Sequence, residues 1–318
     1  MLGVRLIVGT ALAAALLGLL CLDGYLSAQP APLILLPGLQ LDVGPWLYNG
    51  FIAALVVLVL TVAATHELVR LARARGYRPF GVTAQFFAAV LAVGSYVSAN
   101  LAPITGGYDP SWGLLWLAIA LGYVFLLQAI RYGTENAMEN LAITIFIVFY
   151  TGGLAGFLTK LRMEVGGATG MAVVVFSVFL VKMNDVGAYF VGNAVGRHKL
   201  VAWLSPKKTW EGFIGGFLTT VVCALAVGRW LHLSGLVRLE ERYVSYPWAL
   251  LLLGLLLGTF SVAGDLAASL LKRDARVKDS GRALPGLGGV LDILDSPLLA
   301  APVAWLFWTR LFHVLPAS

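Results

Sequence analysis

A short segment near the carboxyl end concentrates ionic side chains in a chain that has few of them. Only 12% of the 318 residues are charged, yet the segment 272–295 holds nine charged residues of both signs. Carboxylates mixed with Lys and Arg suit Mg²⁺ bound together with a polyphosphate, because Mg²⁺ prefers oxygen ligands and the cations hold the remaining phosphate charge. The segment therefore predicts phosphate chemistry.

An oppositely charged pair is spaced for one helix face inside an apolar run. In KMNDVGAY, residues 182–189, Lys182 and Asp185 lie three positions apart. An ionisable side chain in a membrane span costs about 2.5–3.5 kcal/mol on insertion, so it indicates a functional site. The alternative is an internal ion pair that only lets the helix pack, and the sequence leaves both readings open.

A second polar stripe runs into the charged segment. Asp265, Ser269 and Lys272 recur at i, i+4 and i+7 and therefore lie along one side of a helix. Asp292 and Asp295 follow a Pro-Gly-Leu-Gly-Gly run, which predicts a tight loop whose backbone N–H groups can approach an anion. We expect these carboxylates to converge with the basic loops at one face of the membrane.

Two common phosphate- and metal-binding patterns are not found in the sequence. The segment 192–199, GNAVGRHK, lacks the spacing of a Walker A loop. His66 and Glu67 are not followed by the second histidine of an H-E-x-x-H zinc helix. We therefore expect neither a P-loop enzyme nor a zinc enzyme of this type.

The elements that must position these residues are membrane-spanning helices. The chain is 59% hydrophobic with a mean hydropathy of +0.87. Its apolar residues come in blocks of about 20, the length of helix that crosses ~30 Å of hydrocarbon. Because a helix satisfies its own backbone in lipid, we predict an all-α, polytopic integral membrane protein. The nine predicted spans are about 4–22, 49–68, 81–101, 111–130, 141–159, 169–191, 211–230, 247–271 and 297–314.

The distribution of Lys and Arg predicts the orientation in the membrane. Basic residues are densest in the loops around 70–78, 197–208 and 272–282, which share one side of the membrane. Since cytoplasmic loops are enriched in Lys and Arg, we predict a cytoplasmic N-terminus and an external C-terminus. The formal net charge of +6 is attributed to loops facing anionic lipid, and nucleic acid is not an expected partner.

The two halves of the chain differ in the polarity of their spans. Residues 1–165 are predicted to form an N-terminal transmembrane region of mostly ordinary lipid-facing helices. Residues 166–318 are predicted to form the catalytic transmembrane region, with cytoplasmic loops at 192–210 and 272–296. The first span, preceded by Arg5, is interpreted as an uncleaved anchor rather than a signal peptide.

The two polar blocks of the second half resemble the shared regions of a known family. The segment 269–295 resembles the signature of phosphatidate cytidylyltransferases, also called CDP-diacylglycerol synthases. The matching signature residues are Ser269, Lys272, Arg273, Lys278, Asp279, Pro285, Gly286, Gly288, Gly289, Asp292 and Asp295. The segment 184–216 is similar to the family's other shared region through Asp185, Gly187, Ala188, Tyr189, Gly192, Gly196, Lys199, Ser205, Pro206, Lys207, Lys208, Thr209, Glu211 and Gly212. Two long blocks in the family's order make the resemblance specific over about residues 180–300.

The sequence departs from the family pattern at four positions. Leu287 stands where the family has His, and Ile293 where it has Arg. Ala268 replaces a Glu of many members, and Val186 a small polar residue. The carboxylates and lysines of the signature all remain, which argues against an inactive protein.

The resemblance implies a reaction and its partners. CMP is transferred from CTP to phosphatidic acid at the cytoplasmic face of the inner membrane, giving CDP-diacylglycerol and pyrophosphate. The implied cofactor is Mg²⁺, alone or with a second metal ion, and the implied assembly is a homodimer in the lipid bilayer. A phosphate monoester is largely a dianion at neutral pH because its second pKa is near ~6, so the lipid nucleophile needs no general base.

The resemblance also implies roles for individual residues. The implied catalytic residues are Asp185, Asp265, Lys272 and Asp292. The implied metal ligands are Asp265 and Asp292, with Asp295 as a supporting ligand. The implied substrate-binding residues are Ser205, Lys207, Lys208, Arg273, Lys278, Asp279, Gly288 and Gly289.

Two other functions are compatible with polar residues in membrane spans. A CTP-dependent polyprenol or phytol kinase would also need a nucleotide site, but it would release CDP instead of pyrophosphate. A secondary transporter would also use intramembrane Asp and Lys with glycine-interrupted helices, although it would place them near the midplane. The gathering of polar residues at one surface argues against the transporter, whereas product analysis is what distinguishes the kinase from the transferase.

Overall fold

The computed structural model describes residues 2–34, 42–109, 111–239, 247–281, 288–311 and 314–315. Within these ranges, nine helices are long and apolar enough to cross a membrane, which confirms the predicted all-α, polytopic architecture. The nine spans are Gly9–Ser27, Phe51–Ala74, Gly81–Thr105, Trp112–Arg131, Ala137–Val165, Gly167–Val195, Trp210–Leu233, Trp248–Asp274 and Leu291–Leu311. The signature residues Pro285, Gly286 and Leu287 lie outside the described residues.

The helices and strands follow one another along the chain as nearly continuous spans with short connections. The helices are α1 (Leu2–Ser27), α2 (Gly44–Tyr48), α3 (Phe51–Ala74), α4 (Gly81–Thr105), α5 (Trp112–Arg131), α6 (Ala137–Ile147), α7 (Leu154–Val165), α8 (Gly167–Val195), α9 (Trp210–Leu233), α10 (Trp248–Asp274) and α11 (Leu291–Leu306). Two π-helical turns, Val148–Gly153 and Phe307–Leu311, continue α6 and α11. The strands are β1 (Lys199–Val201), β2 (Ser205–Thr209), β3 (Arg238–Leu239) and β4 (Val314–Leu315).

The four strands form two separate antiparallel pairs. β1 pairs with β2 in a hairpin in which Lys199 lies opposite Thr209. β3 pairs with β4, so Arg238 lies opposite Leu315. The β1–β2 hairpin projects from the end of α8 and leads directly into α9, and it is therefore the strand pair that bears on the polar residues.

The last span begins earlier than the sequence pattern predicts. Its helix starts at Leu291 and not near residue 297, although it contains Pro297 and Pro302. Asp292 and Asp295 therefore lie on the first turns of α11 and not in a loop. The difference arises because Asp292, Asp295 and Pro297 interrupt the apolar run in the sequence, whereas the N–H groups at the helix start are satisfied by a carboxylate from elsewhere in the fold.

α11 joins the two apolar cores of the helix bundle. Its Leu298 packs in one core with Ile147, and its Ala304 packs in the other with Leu253. All four side chains are at most 1% exposed. Tight packing matters here because helices in lipid associate through van der Waals contact and hydrogen bonds rather than through the hydrophobic effect.

Glycines allow α8 and α9 to pack in close contact. A side chain at Gly187 would collide with Thr219, and one at Gly216 would approach the Asn184 amide oxygen to 2.6 Å. Small residues at a helix interface are the usual means of close approach in membranes. The structure therefore assigns Gly187 to the packing of α8 against α9.

The two ends of the bundle carry different polar contacts. One end bears the β1–β2 hairpin and the described residues 275–281 and 288–290 between α10 and α11, and we call it the hairpin end. Arg75, which follows α3, pairs with Asp274 there at 3.3 Å. At the opposite end, Arg162 on α7 binds Asp23 on α1 at 2.9 Å, with both side chains at most 2% exposed.

Candidate active site

Two contacts join the β1–β2 hairpin to α10 at the hairpin end. Lys208 Nζ, on β2, lies 2.7 Å from Asp265 Oδ2 on α10. Arg273 Nε, at the end of α10, approaches the Leu204 carbonyl oxygen of the hairpin at 3.5 Å. The 184–216 block and the 269–295 block therefore form one surface, although a whole transmembrane hairpin separates them in the chain.

Local capping fixes the hairpin that carries Lys208. The Thr209 hydroxyl oxygen accepts a hydrogen bond from the Gly212 N–H at 3.1 Å and caps the start of α9. Glu211, in the first turn of α9, accepts from the Arg197 N–H at 3.0 Å and lies 2.6 Å from His198 Nδ1. The family-like residues Thr209, Glu211 and Gly212 thus close the hairpin onto the helix.

A group of carboxylates lies deeper in the bundle around one lysine. Lys182 Nζ donates to the Ile293 carbonyl oxygen at 2.8 Å and lies 3.5 Å from Asp185 Oδ2. Asp185, Asp265 and Asp295 lie within electrostatic range of one another, and Lys182 acts on both Asp185 and Asp295. The Lys182–Asp185 pair is therefore part of the polar site and also tethers α8 to the start of α11.

Asp292 is surrounded by donors. Its Oδ1 lies 2.7 Å from Lys272 Nζ, and its Oδ2 accepts from the Ser280 N–H at 3.0 Å and the Gly289 N–H at 2.9 Å. Gly288, with φ of +96°, turns the chain in the left-handed region immediately before these contacts. The Gly289 N–H thus donates to an anion, as the loop pattern suggested, and in this structure the anion is the protein's own carboxylate.

Glu67 is a buried member of the site that the sequence reasoning missed. It lies on α3 in the first half of the chain and is 4% exposed. Its carboxylate accepts hydrogen bonds from the Val290 and Leu291 N–H groups, each at 2.9 Å, and from the Ser280 hydroxyl at 2.7 Å. The sequence signal for Glu67 was an acidic side chain within a predicted span. Once a zinc helix was excluded, this side chain had no assigned role.

The remaining predicted site residues lie at the exposed rim of the hairpin end. Lys207, Arg273, Lys278 and Asp279 are exposed, and Ser205 is half-buried at the start of β2. Ser269 lies one turn beyond Asp265, and its hydroxyl oxygen is 3.4 Å from Asp265 Oδ1. The structure thus divides the predicted residues into a deep carboxylate group and an outer basic rim.

The donor set fits Mg²⁺ shared with a phosphate ligand better than a metal held by protein alone. In the part of the chain that the structure describes, no three His, Cys, Asp or Glu side chains are grouped closely enough to hold a metal ion. Asp265 and Asp292 each offer carboxylate oxygens next to a lysine. Mg²⁺ typically takes one or two carboxylates and completes its shell with water and substrate phosphate, which matches this arrangement.

The fold and the site together define a polytopic membrane protein with a carboxylate and lysine centre at one end of its helix bundle. Residues 39–311 match the model of the cytidylyltransferase family, and the chain belongs to this family. The resemblance seen in the two sequence blocks is therefore confirmed, and it extends over most of the chain.

Several curated proteins are similar to this chain over much of its length. A phosphatidate cytidylyltransferase of Synechocystis sp. is 30% identical over 302 residues, which cover 86% of this chain and 92% of the relative. A phosphatidate cytidylyltransferase of Mycobacterium bovis is 29% identical over 265 residues, or 80% of each chain. The uncharacterized protein YnbB of Escherichia coli is 41% identical over 138 residues, or 43% of each chain. These relatives favour neither the lipid kinase nor the transporter.

Proposed function

We propose that this protein transfers CMP from CTP to phosphatidate, giving CDP-diacylglycerol and pyrophosphate. This reaction is supported by membership of the cytidylyltransferase family. It is also supported by the phosphatidate cytidylyltransferases that are similar to most of this chain. The structural observation that carries the proposal is the 2.7 Å ion pair between Lys208 and Asp265. It joins the 184–216 block to the polar stripe of α10 in one centre that has cations for phosphates and carboxylates for a metal ion.

The proposed chemistry is a displacement at the α-phosphorus of CTP. A phosphate oxygen of phosphatidate forms a bond to that phosphorus, while the bond from the phosphorus to the oxygen bridging to the β-phosphate breaks. Pyrophosphate leaves with the electron pair of the broken bond. Because the lipid phosphate is largely a dianion at neutral pH, the principal obstacle is repulsion between two polyanions, and fixed cations lower it.

The basic side chains of the hairpin end are suited to the triphosphate. Lys207, Lys208 and Lys272 are proposed to contact it, because they stand on two elements that approach the carboxylates from different sides. Arg273 and Lys278 are proposed to contact either substrate phosphate. The proposed site further includes Asp185, Ser205, Asp279, Gly288 and Gly289.

Asp265 and Asp292 are proposed to hold Mg²⁺, with Asp295 in support. When bound, Mg²⁺ supplies positive charge next to the phosphate oxygens. Lys208 and Lys272 balance the two carboxylates in the structure described here. When a bound metal ion compensates the charge of the carboxylates, the same lysines are close enough to the site to contact phosphate instead.

Three further features of the proposal concern the protein in its membrane. The bacterial relatives support a location in the inner membrane. The basic loops at the hairpin end support a cytoplasmic N-terminus and a site at the cytoplasmic face. A homodimer is proposed from the family resemblance alone.

The proposed reaction can be tested with the purified full-length protein. The protein is incubated with Mg²⁺ and mixed micelles of phosphatidate and detergent, together with CTP labelled at either the α- or the γ-phosphate. We expect the α-label in the lipid product and the γ-label in pyrophosphate. Transfer of the γ-label to lipid, with release of CDP, would identify a kinase. Absence of any labelled lipid product from folded wild-type protein would reject both enzymes.

A further inference from the structure

We infer that Glu67 is a positioning residue that holds Asp292 and the start of α11 in their working arrangement for CMP transfer. The inference rests on the proposed function, and it concerns a residue of α3 that is far from both family-like blocks in the chain. Ser280, one of its hydrogen-bond partners, is 213 positions away.

The Glu67 carboxylate binds both ends of the segment between α10 and α11. On one side, Oε2 accepts from the Ser280 hydroxyl at 2.7 Å. On the other side, Oε1 accepts from the Val290 N–H and Oε2 from the Leu291 N–H, both at 2.9 Å. Glu67 therefore links Ser280 to residues 290 and 291, and it satisfies N–H groups at the start of α11.

Two glycines leave space for this carboxylate. A side chain at Gly281 would come within 2.5 Å of Glu67 Oε1, and one at Gly289 would collide with Glu67 Oε2 and the Ser280 hydroxyl. Both glycines flank the segment from opposite ends. Both positions therefore need a residue without a side chain to accommodate a carboxylate from another helix. A chance surface contact would not impose this requirement.

Ser280 couples Glu67 to Asp292. Its hydroxyl oxygen lies 2.7 Å from Glu67 Oε2 and 3.0 Å from Asp292 Oδ2, and its N–H donates to the same Asp292 oxygen at 3.0 Å. Since a hydroxyl has one proton, it donates to only one of the two carboxylates at a time. The Ser280 N–H donates to Asp292 in either case. Displacing Ser280 would remove two donors from Asp292 at once.

Glu67 acts through these contacts and not by touching substrate. It is 4% exposed, and both of its oxygens are already hydrogen-bonded. Asp292, in contrast, retains its Lys272 partner on the side away from Glu67. Glu67 therefore fixes the orientation of a proposed metal ligand without being part of the ligand set.

Glu67→Gln tests the inference because it keeps the size of the side chain and removes one acceptor oxygen. Outer-shell partners of metal ligands typically contribute 10–100-fold in affinity or activity, so we expect kcat to fall by that factor and the half-saturating Mg²⁺ concentration to rise. The KM for phosphatidate should stay within about twofold. Amide hydrogen exchange by mass spectrometry should show faster exchange at residues 288–291, which is a readout independent of turnover.

Asp23→Asn is the matched control. Asp23 is also a buried carboxylate that accepts a backbone N–H, from Ala53 at 3.1 Å. Residues 53 and 67 are about 21 Å apart along α3 at ~1.5 Å per residue, so the control lies near the opposite end of the bundle. It should lower the Tm while leaving kcat, the Mg²⁺ requirement and exchange at residues 288–291 of the folded protein unchanged.

Ser280→Ala provides a second variant if Glu67→Gln does not fold. It should shift kcat, the Mg²⁺ requirement and exchange in the same directions, and the double variant should be no worse than Glu67→Gln. The inference would be overturned if folded Glu67→Gln kept the wild-type kcat, Mg²⁺ requirement and amide exchange. If only Ser280→Ala folds, the same outcome in that variant would overturn it. Absence of CMP transfer by the wild-type protein would instead reject the proposed function.

Discussion

Three of the acidic side chains at the hairpin end are each paired with a lysine. Asp185 faces Lys182, Asp265 faces Lys208 and Asp292 faces Lys272. Because a buried charge without a partner costs several kcal/mol, the pairing lowers the cost of placing these partly buried carboxylates in the bundle. Under the proposed function the pairing also has a chemical role, because lysines held beside carboxylates stand where the proposed metal ion and the triphosphate would meet.

At the scale of a single residue, Asp265→Asn should abolish catalysis without preventing insertion. The change removes the negative charge that Lys208 and the proposed metal ion share, and we expect CMP transfer to fall at least about 100-fold. Membrane-inserted amount and turnover are measured on the same preparation. Asp274→Asn, on the same helix but in a half-exposed pair with Arg75, is the control and should keep wild-type turnover. Full activity of Asp265→Asn would exclude it as a metal ligand.

Lys207→Gln should weaken the binding of CTP. Its exposed ammonium group at the rim is proposed to contact the triphosphate, and a hydrogen bond to a charged group contributes ~1.5–3 kcal/mol, so the KM for CTP should rise about tenfold or more. Initial rates at several salt concentrations measure this, and the salt dependence of the KM should decrease. Arg131→Gln removes an exposed charge from the end of α5 as a control. An equal effect of both changes would indicate a general surface potential instead of a contact.

At the scale of elements, the crossing of α10 and α11 sets the depth of the carboxylate group. The backbone of α11 at Asp295 and Ser296 lies directly against Gly264, leaving no room for a side chain there. Gly264 immediately precedes Asp265, so the same contact that packs the helices also places Asp265 near Asp295. The contact at Gly264 thus determines both the packing of the two helices and the geometry of the site.

Gly264→Ala should therefore affect both stability and activity. The added methyl group would collide with the Asp295 carbonyl oxygen, and overpacking of this kind typically costs 1–3 kcal/mol in the free energy of unfolding. Thermal unfolding in detergent and turnover per folded protein measure the two effects. Gly122→Ala, at a position on α5 with no atom within 4 Å of the added carbon, should be neutral or stabilising. Equal Tm values for the two variants would argue against the close crossing.

At the scale of the whole molecule, α9 carries the chain from the hairpin end to the other side of the membrane. Its 24 residues span about 36 Å at ~1.5 Å per residue, enough to cross the hydrocarbon core. The exposed residues Ala202, at the hairpin tip, and Ser234, just after α9, therefore mark opposite surfaces. The proposed orientation assigns the hairpin to the cytoplasm.

Cysteine labelling tests this orientation. In a chain lacking Cys21 and Cys223, Ser234→Cys should react with a membrane-impermeant maleimide in intact cells. Ala202→Cys should react only after the membrane is permeabilised, because the basic hairpin end is expected inside. The opposite pattern would reverse the orientation and place the proposed site on the external face, where cytoplasmic CTP could not reach it.

The sequence alone determined the membrane architecture and the chemical character of the site. Long apolar blocks specify spanning helices because their length and hydropathy are local properties, and all nine predicted spans are present in the described residues. The two polar blocks identified the family because they keep residue types and spacing that phosphate chemistry requires. Neither conclusion needed knowledge of which helices touch.

Only the tertiary structure decided which side chains are partners. It paired Lys208 with Asp265, brought Glu67 from α3 to the start of α11, and assigned Gly187 to the contact with α9. The physical reason is that hydropathy and spacing report the path of one helix through lipid, whereas hydrogen bonds between helices depend on their rotation and depth. An acidic residue in an apolar span signals only that a partner must exist, and the packed bundle shows which one it is.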